Sequence, residues 1–531
     1  MKNTIINPIL KGFNPDPCIC RVDEDYYIAT STFQWFPGVQ IFHSRDMIHW
    51  KLYCRPLDNI NLLNLIGVPD SGGVWAPCLT YNNGLFYLVY SVVKTFSKYF
   101  KDVDNYLITT YDLKGQWSEP VYLNSSGFDA SLFHDIDGKK YILNPLFNHR
   151  DRNNQFDGIL IQEYSSDRKM LIGEPHNIFK GTSLGITEGP HMYRIDGYYY
   201  LFCAEGGTFY EHAVTVARSK NLYGPYDVSP YHPLLTSYGH DELILQKSGH
   251  GSLVQTQKGD WYLAHLCARP NGNQNRCMLG RETAIQKLTK TEDGWFKLEN
   301  GKNTPDVQVT GPLLKEDLMT EKEEYRIYFD GKLPDCFQTL RQPATERWLT
   351  FDKDNGWLKL LGKESMESLH YQSLIGRRRE DFSFVSETLI NFNPVTYQQI
   401  AGLTLYYDTT NYIYLYITYD EKLGKCIGLL DCNHGKHTYI SDKYKLPENE
   451  DVYLRMNINN DKGTFSWSLD GLEFNKIGSE VDVTHLSDDY YDDQTTGIRF
   501  TGTFIALCCQ DLSGRKAPAV FKYFTYNSGL E

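Results

Sequence analysis

Five segments in the first half of the chain share one layout, and this repeat constrains the fold more than any other feature. They read DPCICRVDEDYYIAT from Asp16, WAPCLTYNNGLFYLVY from Trp75, DASLFHDIDGKKYILN from Asp129, EGPHMYRIDGYYYLFC from Glu188 and HGSLVQTQKGDWYLAH from His250. Each opens on an anchor followed by a small residue or proline, then an apolar stretch, a turn and an aromatic-rich strand. Nine residues after the anchor, four units carry glycine: Gly84, Gly138, Gly197 and Gly259. Twelve residues after it, the same four carry tyrosine: Tyr87, Tyr141, Tyr200 and Tyr262. The first unit turns at Glu24-Asp25 and reaches Tyr27 one residue early. Asn83-Gly84, Asp137-Gly138 and Asp196-Gly197 are two-residue hairpin signals, because such pairs tolerate the positive φ of a type I′ turn.

Anchor spacings of 59, 54, 59 and 62 residues are too long for a solenoid repeat but suit a four-stranded propeller blade with generous loops. SRDMIHWKL (44–52), YDLKGQWSEP (111–120) and RSKNLYGPYD (218–227) recur between anchors and supply outer strands. Helical periodicity is confined to a brief stretch at Asn61–Ile66. The expected fold is all-β, with a five-bladed β-propeller over 1–305. Equivalent positions of its innermost strands face one axis, so Asp16, Trp75, Asp129, Glu188 and His250 should converge on a single pocket.

A mixed, Pro-containing stretch follows and reads as a linker over 306–324. Beyond it, over 325–531, the repeat is gone but strand patterning continues. Phe384–Phe392, Ala401–Tyr407, Tyr412–Thr418, Tyr453–Ile458 and Thr464–Leu469 read as strands of a β-sandwich of the concanavalin or jelly-roll kind. It would serve as a sugar-binding module or as a lid on the propeller.

A net charge of −13 excludes an extended basic track for nucleic acid. The one basic run, Arg377-Arg378-Arg379, reads as a solvated strand end. No apolar run approaches the roughly 20 residues that span a membrane, and MKNTIINPILKGF lacks the apolar core of a secretory signal. The 12 cysteines then read as buried reduced thiols of a cytoplasmic protein. Cys18 and Cys20, and the adjacent Cys508 and Cys509, do not match zinc-site spacing. No phosphate loop, dinucleotide fingerprint or zinc-helix pattern is present, so no cofactor is required. Many strands and a second domain make a homo-oligomer a reasonable expectation. The aromatic content of 14% suits strands, and also the apolar faces of pyranose rings.

Glycosidic bonds are usually cut by two carboxyl groups, one protonating the leaving oxygen and the other activating water or attacking, and this register offers three. Asp16, between two prolines in NPDPC, is held without rotamer-rich neighbours, as suits a general base. Glu188, on the Gly-Pro turn of ITEGPH, has the longer arm an acid requires, and Asp129 in GFDASL could raise its pKa. Alone, either Glu188 or Asp129 reads as a turn-associated polar residue; their joint register favours chemistry. His250 could hydrogen-bond a carboxylate, contact sugar, help hold a cation or serve structure alone. Trp75 reads as a wall of the sugar site or as core.

GFNPDP, DYYIATSTFQWFPGVQIFHSRDMIHW, PDSGGVWAP, GFDASLFHD, TEGPH, AEGGT, GHGSLV and LGRETAIQK, in that order, resemble glycoside hydrolase family 43, and most closely its two-domain β-xylosidases. The resemblance implies a five-bladed propeller with a β-sandwich behind it, and an inverting, exo-acting β-xylosidase that frees xylose from the non-reducing ends of xylooligosaccharides. By motif match it makes Asp16 the base, Glu188 the acid and Asp129 the residue that tunes and orients the acid. It assigns Arg281 to sugar hydroxyls and carboxylates. Phe33, Trp75, Phe128, Thr208 and His250 then line the pocket, and Phe504 in FTGTF is the aromatic the sandwich pushes into the rim. It also admits calcium near His250. Cys78, in WAPC, departs from the acidic residue common there, and the Pro270–Cys277 loop looks short. An α-L-arabinofuranosidase is the alternative enzyme, alone or as a second activity. A non-catalytic sugar-binding propeller would be marked by the loss of a carboxylate anchor, and all three are present.

Overall fold

The computed structural model describes residues 3–95, 100–150, 154–272, 275–314, 326–491 and 497–528. The repeat becomes five antiparallel blades of four strands each, the fourth blade gaining a short fifth strand at Leu235–Thr236, and in every blade the innermost strand carries the anchor or directly follows it. Blade 1 runs Cys18–Val22, Asp25–Thr30, Gln40–Ser44 and Lys51–Cys54; blade 2 opens at Gly73–Asn82, blade 3 at Ser131–His134, blade 4 at Glu188–Ile195 and blade 5 at Gln246–Gln255. Inner strands touch in ring order, and blade 5 returns to blade 1. Of the described residues only the turn Asp488–Tyr490 is helical. Asn61–Ile66 forms turns, so the helical stretch expected there is absent.

The recurring tyrosine has a packing cause. Tyr27 lies in the apolar cluster between blades 1 and 2, Tyr87 in that between 2 and 3, and Tyr141 in that between 3 and 4. Tyr200 and Tyr262 fill the next two junctions, the last closing blade 5 onto blade 1. One wedge per junction, all five buried, spaces radially splayed sheets. Of the hairpins, Asn83-Gly84 and Asp196-Gly197 take positive φ at both positions. Asp137 does not; His134 pairs with Lys140, and only Gly138 turns left-handed within that longer loop.

A clasp along blade 5 secures the ring. Thr4–Ile6 pairs with Gln308–Thr310. The Asn7 side chain donates to Ile285 O at 2.8 Å and accepts from Ile285 N at 2.8 Å. The expected linker therefore begins as paired strand, and residues 315–324 of it lie outside the described residues.

The second half forms an eight-stranded and a nine-stranded sheet around one core, to which Leu403, Leu405 and Leu415 contribute from one face and Leu454, Met456 and Phe521 from the other. The propeller supplies the last strand of the larger sheet: Trp35–Phe36 pairs with Thr339 and Leu340. Arg341 donates to Asp70 at 2.6 Å across the same interface, with both side chains buried. The Arg377–Arg379 run is not solvated. Arg378 donates to Phe13 O at 2.6 Å and lies over Phe504, while Arg379 caps Phe382 O at 2.7 Å. These guanidiniums are buried at the domain seam, where backbone carbonyls and the Gln338 and Glu380 side chains take part of their donors.

Candidate active site

Each inner strand leaves its ladder as it reaches the axis. Asp16, Asp129 and His250 have φ of 55°, 50° and 50°; in blades 2 and 4 the left-handed residue is the next one, Ala76 at 30° or Gly189 at 54°. Register breaks fall between Trp75 and Cys78, between Glu188 and His191, and again before Gly251. Such bulges re-aim side chains toward a site. A non-glycine residue held left-handed stores about 1–3 kcal/mol of strain, which persists only where the surroundings over-determine it. Gly189 has a second reason to be glycine: a Cβ there would stand 2.8 Å from His250 Cε1.

The first carboxylate is fixed from two sides. Ser31 Oγ donates to Asp16 Oδ2 at 2.6 Å, and Arg281 Nη1 donates to Oδ1 at 2.9 Å. Ser31 Oγ accepts from Ala76 N at 2.7 Å, which directs its own proton to Asp16 and ties blade 1 to blade 2. The same Arg281 nitrogen reaches Thr208 Oγ1 at 3.0 Å, and Nη2 donates to Phe500 O at 3.3 Å.

The other two carboxyls hold protons tightly. Burial raises Glu188 to about 7, with Asp16 adding to the rise and Lys101 and Arg281 opposing it. Burial, then the charges of Glu188 and Asp16, push Asp129 well above the usual carboxylate range. Lys101 is itself pushed down to about 8 by burial, against the pull of Glu188 and Asp129. The pocket thus pairs an anchored carboxylate with a carboxyl poised to give up a proton near neutrality.

The cavity has a volume of about 460 Å³. Trp75 is its aromatic hub, with ring centroids 5.6 Å from Phe33, 5.3 Å from Phe128 and 5.5 Å from Phe500. Asp16, Asp129, Glu188, Trp75 and His250 all line it, as the shared register requires, and so do Phe33, Phe128, Thr208 and Arg281.

Phe504 does not. It is fully buried behind the pocket, stacked on Trp35 at 3.8 Å, and Phe500, at the other end of FTGTF, enters the cavity instead. Phe504 begins the strand Phe504–Asp511, whose pairing turns it into the domain seam. Phe500 precedes that strand and is steered by Ser71 Oγ, which accepts from its N–H at 3.0 Å. The two roles separate experimentally: Phe504→Ala should cost about 3–5 kcal/mol of stability, read as a lowered denaturation midpoint, whereas Phe500→Ala should leave that midpoint nearly unchanged. Equal losses would mean both rings are structural.

Lys101, His212 and Phe147 also line the cavity and were not marked by the sequence. Lys101 Nζ stands 4.6 Å from the Phe128 centroid and 5.0 Å from that of Trp75. It lies outside the anchor register, so no pattern points to it. Calcium near His250 is poorly matched by the residues present. His250 has the His191 ring beside it, 6.4 Å between centroids, and the charges of Asp16 and then Arg281 near it, one carboxylate where calcium takes six to eight oxygen ligands.

Residues 5–296 match the model of Glycosyl hydrolases family 43, and residues 326–527 match that of the Beta xylosidase C-terminal Concanavalin A-like domain. The chain is 47% identical to a Beta-xylosidase of Bacillus subtilis (strain 168), over 98% of this chain and 99% of that one. It is 44% identical to Xylosidase/arabinosidase 43B of Humicola insolens, over 98% and 97%. Among solved structures, the xylan beta-1,4-xylosidase from Bacillus halodurans C-125 superposes with a TM-score of 0.96 at 49% identity, covering 99% of this chain and 100% of that one.

Proposed function

The chain belongs to glycosyl hydrolase family 43, and from that premise we propose that it is an inverting, exo-acting β-xylosidase releasing xylose from the non-reducing ends of short xylooligosaccharides. One observation carries the reading: Asp16, Asp129 and Glu188 meet in a cavity roofed by the second domain's Phe500. A roofed pocket receives a chain end rather than a chain middle. The names of the relatives support the choice of sugar.

In this reading Asp16, held by Ser31 and Arg281, takes a proton from water, whose oxygen attacks the anomeric carbon. As the glycosidic C–O bond breaks, its electron pair stays with the leaving oxygen, which receives the Glu188 proton. Asp16 ends protonated and Glu188 ionised, and exchange with solvent restores both. Burial raises the acid's proton affinity, Lys101 lowers it and Asp16 raises it further; Asp129 shares the cavity as the residue that orients the acid. The aromatic ring around Trp75 packs the apolar sugar face. No step requires a metal or cofactor, and the thiol form of all 12 cysteines supports a cytoplasmic setting.

The test is xylobiose hydrolysis followed by NMR from the first turnover. α-Xylose should appear before mutarotation; initial β-xylose, or no turnover, refutes the proposal. Because one relative's name includes arabinosidase, the nitrophenyl β-D-xylopyranoside and α-L-arabinofuranoside should be compared. The xyloside should give the larger kcat/KM.

Lys101→Met provides a charge test. Lys101 lowers the pKa of Glu188, so its removal should move the alkaline limb of the kcat/KM profile to higher pH. A limb unmoved, or moved down, would remove Lys101 from this role.

A further inference from the structure

Beneath the carboxylates the repeat register supplies a second ring. Two residues past the anchor in blades 1, 3 and 5, and three past it in the bulged strands of blades 2 and 4, stand Cys18, Ser131, Ser252, Cys78 and His191. The bulges explain the extra step. The Sγ atoms of Cys18 and Cys78 and a ring nitrogen of His191 all lie within 4.8 Å of one another, and all three residues are buried. Nothing in the hydrolytic reading uses them.

We propose that Cys18, Cys78 and His191 form a binding site for a thiophilic, zinc-type divalent cation on the propeller axis, one layer below the catalytic pocket. Two thiolates and an imidazole are a soft-to-borderline donor set, which favours zinc over calcium or magnesium. Zinc–sulfur bonds of about 2.3 Å and zinc–nitrogen bonds of about 2.0–2.1 Å place tetrahedral ligands about 3.5–3.8 Å apart. Separations within 4.8 Å need a contraction of at most about 1 Å to reach that geometry. Ser252, which shares the ring register, accepts from Ile19 N at 3.1 Å and lies 3.3 Å from the Tyr193 hydroxyl. On binding, both thiol protons leave to solvent, so affinity rises with pH.

Two other groupings of metal-type ligands occur among the described residues. In the first, Cys277 with Asp488 and Asp489, the buried Lys247 ammonium already sits against both carboxylates. In the second, Glu367, Cys432 and His437, the Glu367–His437 pair lies near the surface at 2.8 Å. Only at the axis do burial and soft donors coincide. The ligands come from the inner strands of blades 1, 2 and 4, so a bound ion would cross-link three blades at the point where all five meet.

The chain should be produced under reducing conditions in zinc-supplemented medium, so that the ion can enter before the blades close, and its metal content measured. About one zinc per chain is expected, with loss to background in Cys18→Ser and Cys78→Ser and retention in Glu367→Ala. Protein produced with cobalt(II) should show thiolate-to-metal charge transfer and tetrahedral d–d absorption. If the serine variants do not fold, the wild-type cobalt spectrum decides alone. Background metal in the wild type, a cobalt spectrum without sulfur charge transfer, or undiminished metal in Cys78→Ser overturns the proposal.

Discussion

Glu188→Ala should lower kcat on xylobiose by about 10²–10⁴-fold while sparing much of the turnover of aryl xylosides with good leaving groups. The contrast follows from the acid's task. A sugar alkoxide is a poor leaving group until protonated, whereas an activated phenolate departs without help. The pH profile supplies a second readout. Glu188 is raised to about 7 by burial, reinforced by Asp16, and the protonated form is the active one. Wild-type kcat/KM should therefore fall as pH rises through about 7. The limb reports the Glu188–Asp129 pair, because Glu188 contributes strongly to Asp129's own rise. In Glu188→Ala that limb should vanish for activated substrates. Equal losses on both substrate types, with the limb retained, would place the acid elsewhere.

Asp16→Ala should lose about 10²–10⁴-fold in kcat on xylobiose and aryl xylosides alike, because water must be activated whatever group departs. The loss should be accompanied by little change in KM for xylobiose, since the pocket wall of Phe33, Trp75 and Phe128 is untouched. Asp16→Ala also leaves Arg281 without its carboxylate partner at 2.9 Å. Asp16→Asn, which keeps a hydrogen-bond acceptor facing Arg281, separates the two effects. If Asp16→Asn recovers the rate, Asp16 positions Arg281 rather than activating water. A leaving-group-dependent loss would exchange the assignments of Asp16 and Glu188.

Repetition explains how much of this was legible in the primary structure. Five copies of one anchor–turn–tyrosine pattern can satisfy their inner faces only by closing a ring, so the propeller, its blade borders and the convergence of five anchors follow from local spacing. The same logic places Cys18, Cys78 and His191 on the axis although no two of them have zinc-site spacing, since a ring brings together residues that share a register rather than a neighbourhood. Where the register ends, so does legibility. Lys101 reaches the carboxylates from outside the inner strands, with no periodic signal. The Arg377–Arg379 run looked solvent-bound because its carbonyl partners, Phe13 and Phe382, are supplied by distant or irregular backbone. FTGTF offered two phenylalanines four residues apart with equal claim to the rim. Only the pairing of Phe504–Asp511 and the stack on Trp35 decided that Phe504 is buried and Phe500 enters the pocket.

The sequence by itself therefore determined the blades, the second all-β unit and the carboxylates at the centre, because a repeat encodes geometry in spacing. The tertiary structure alone decided what roofs the pocket and what tunes it. Those contacts join residues far apart in the chain, such as Phe500 N with Ser71 Oγ, through packing and desolvation that no local pattern records.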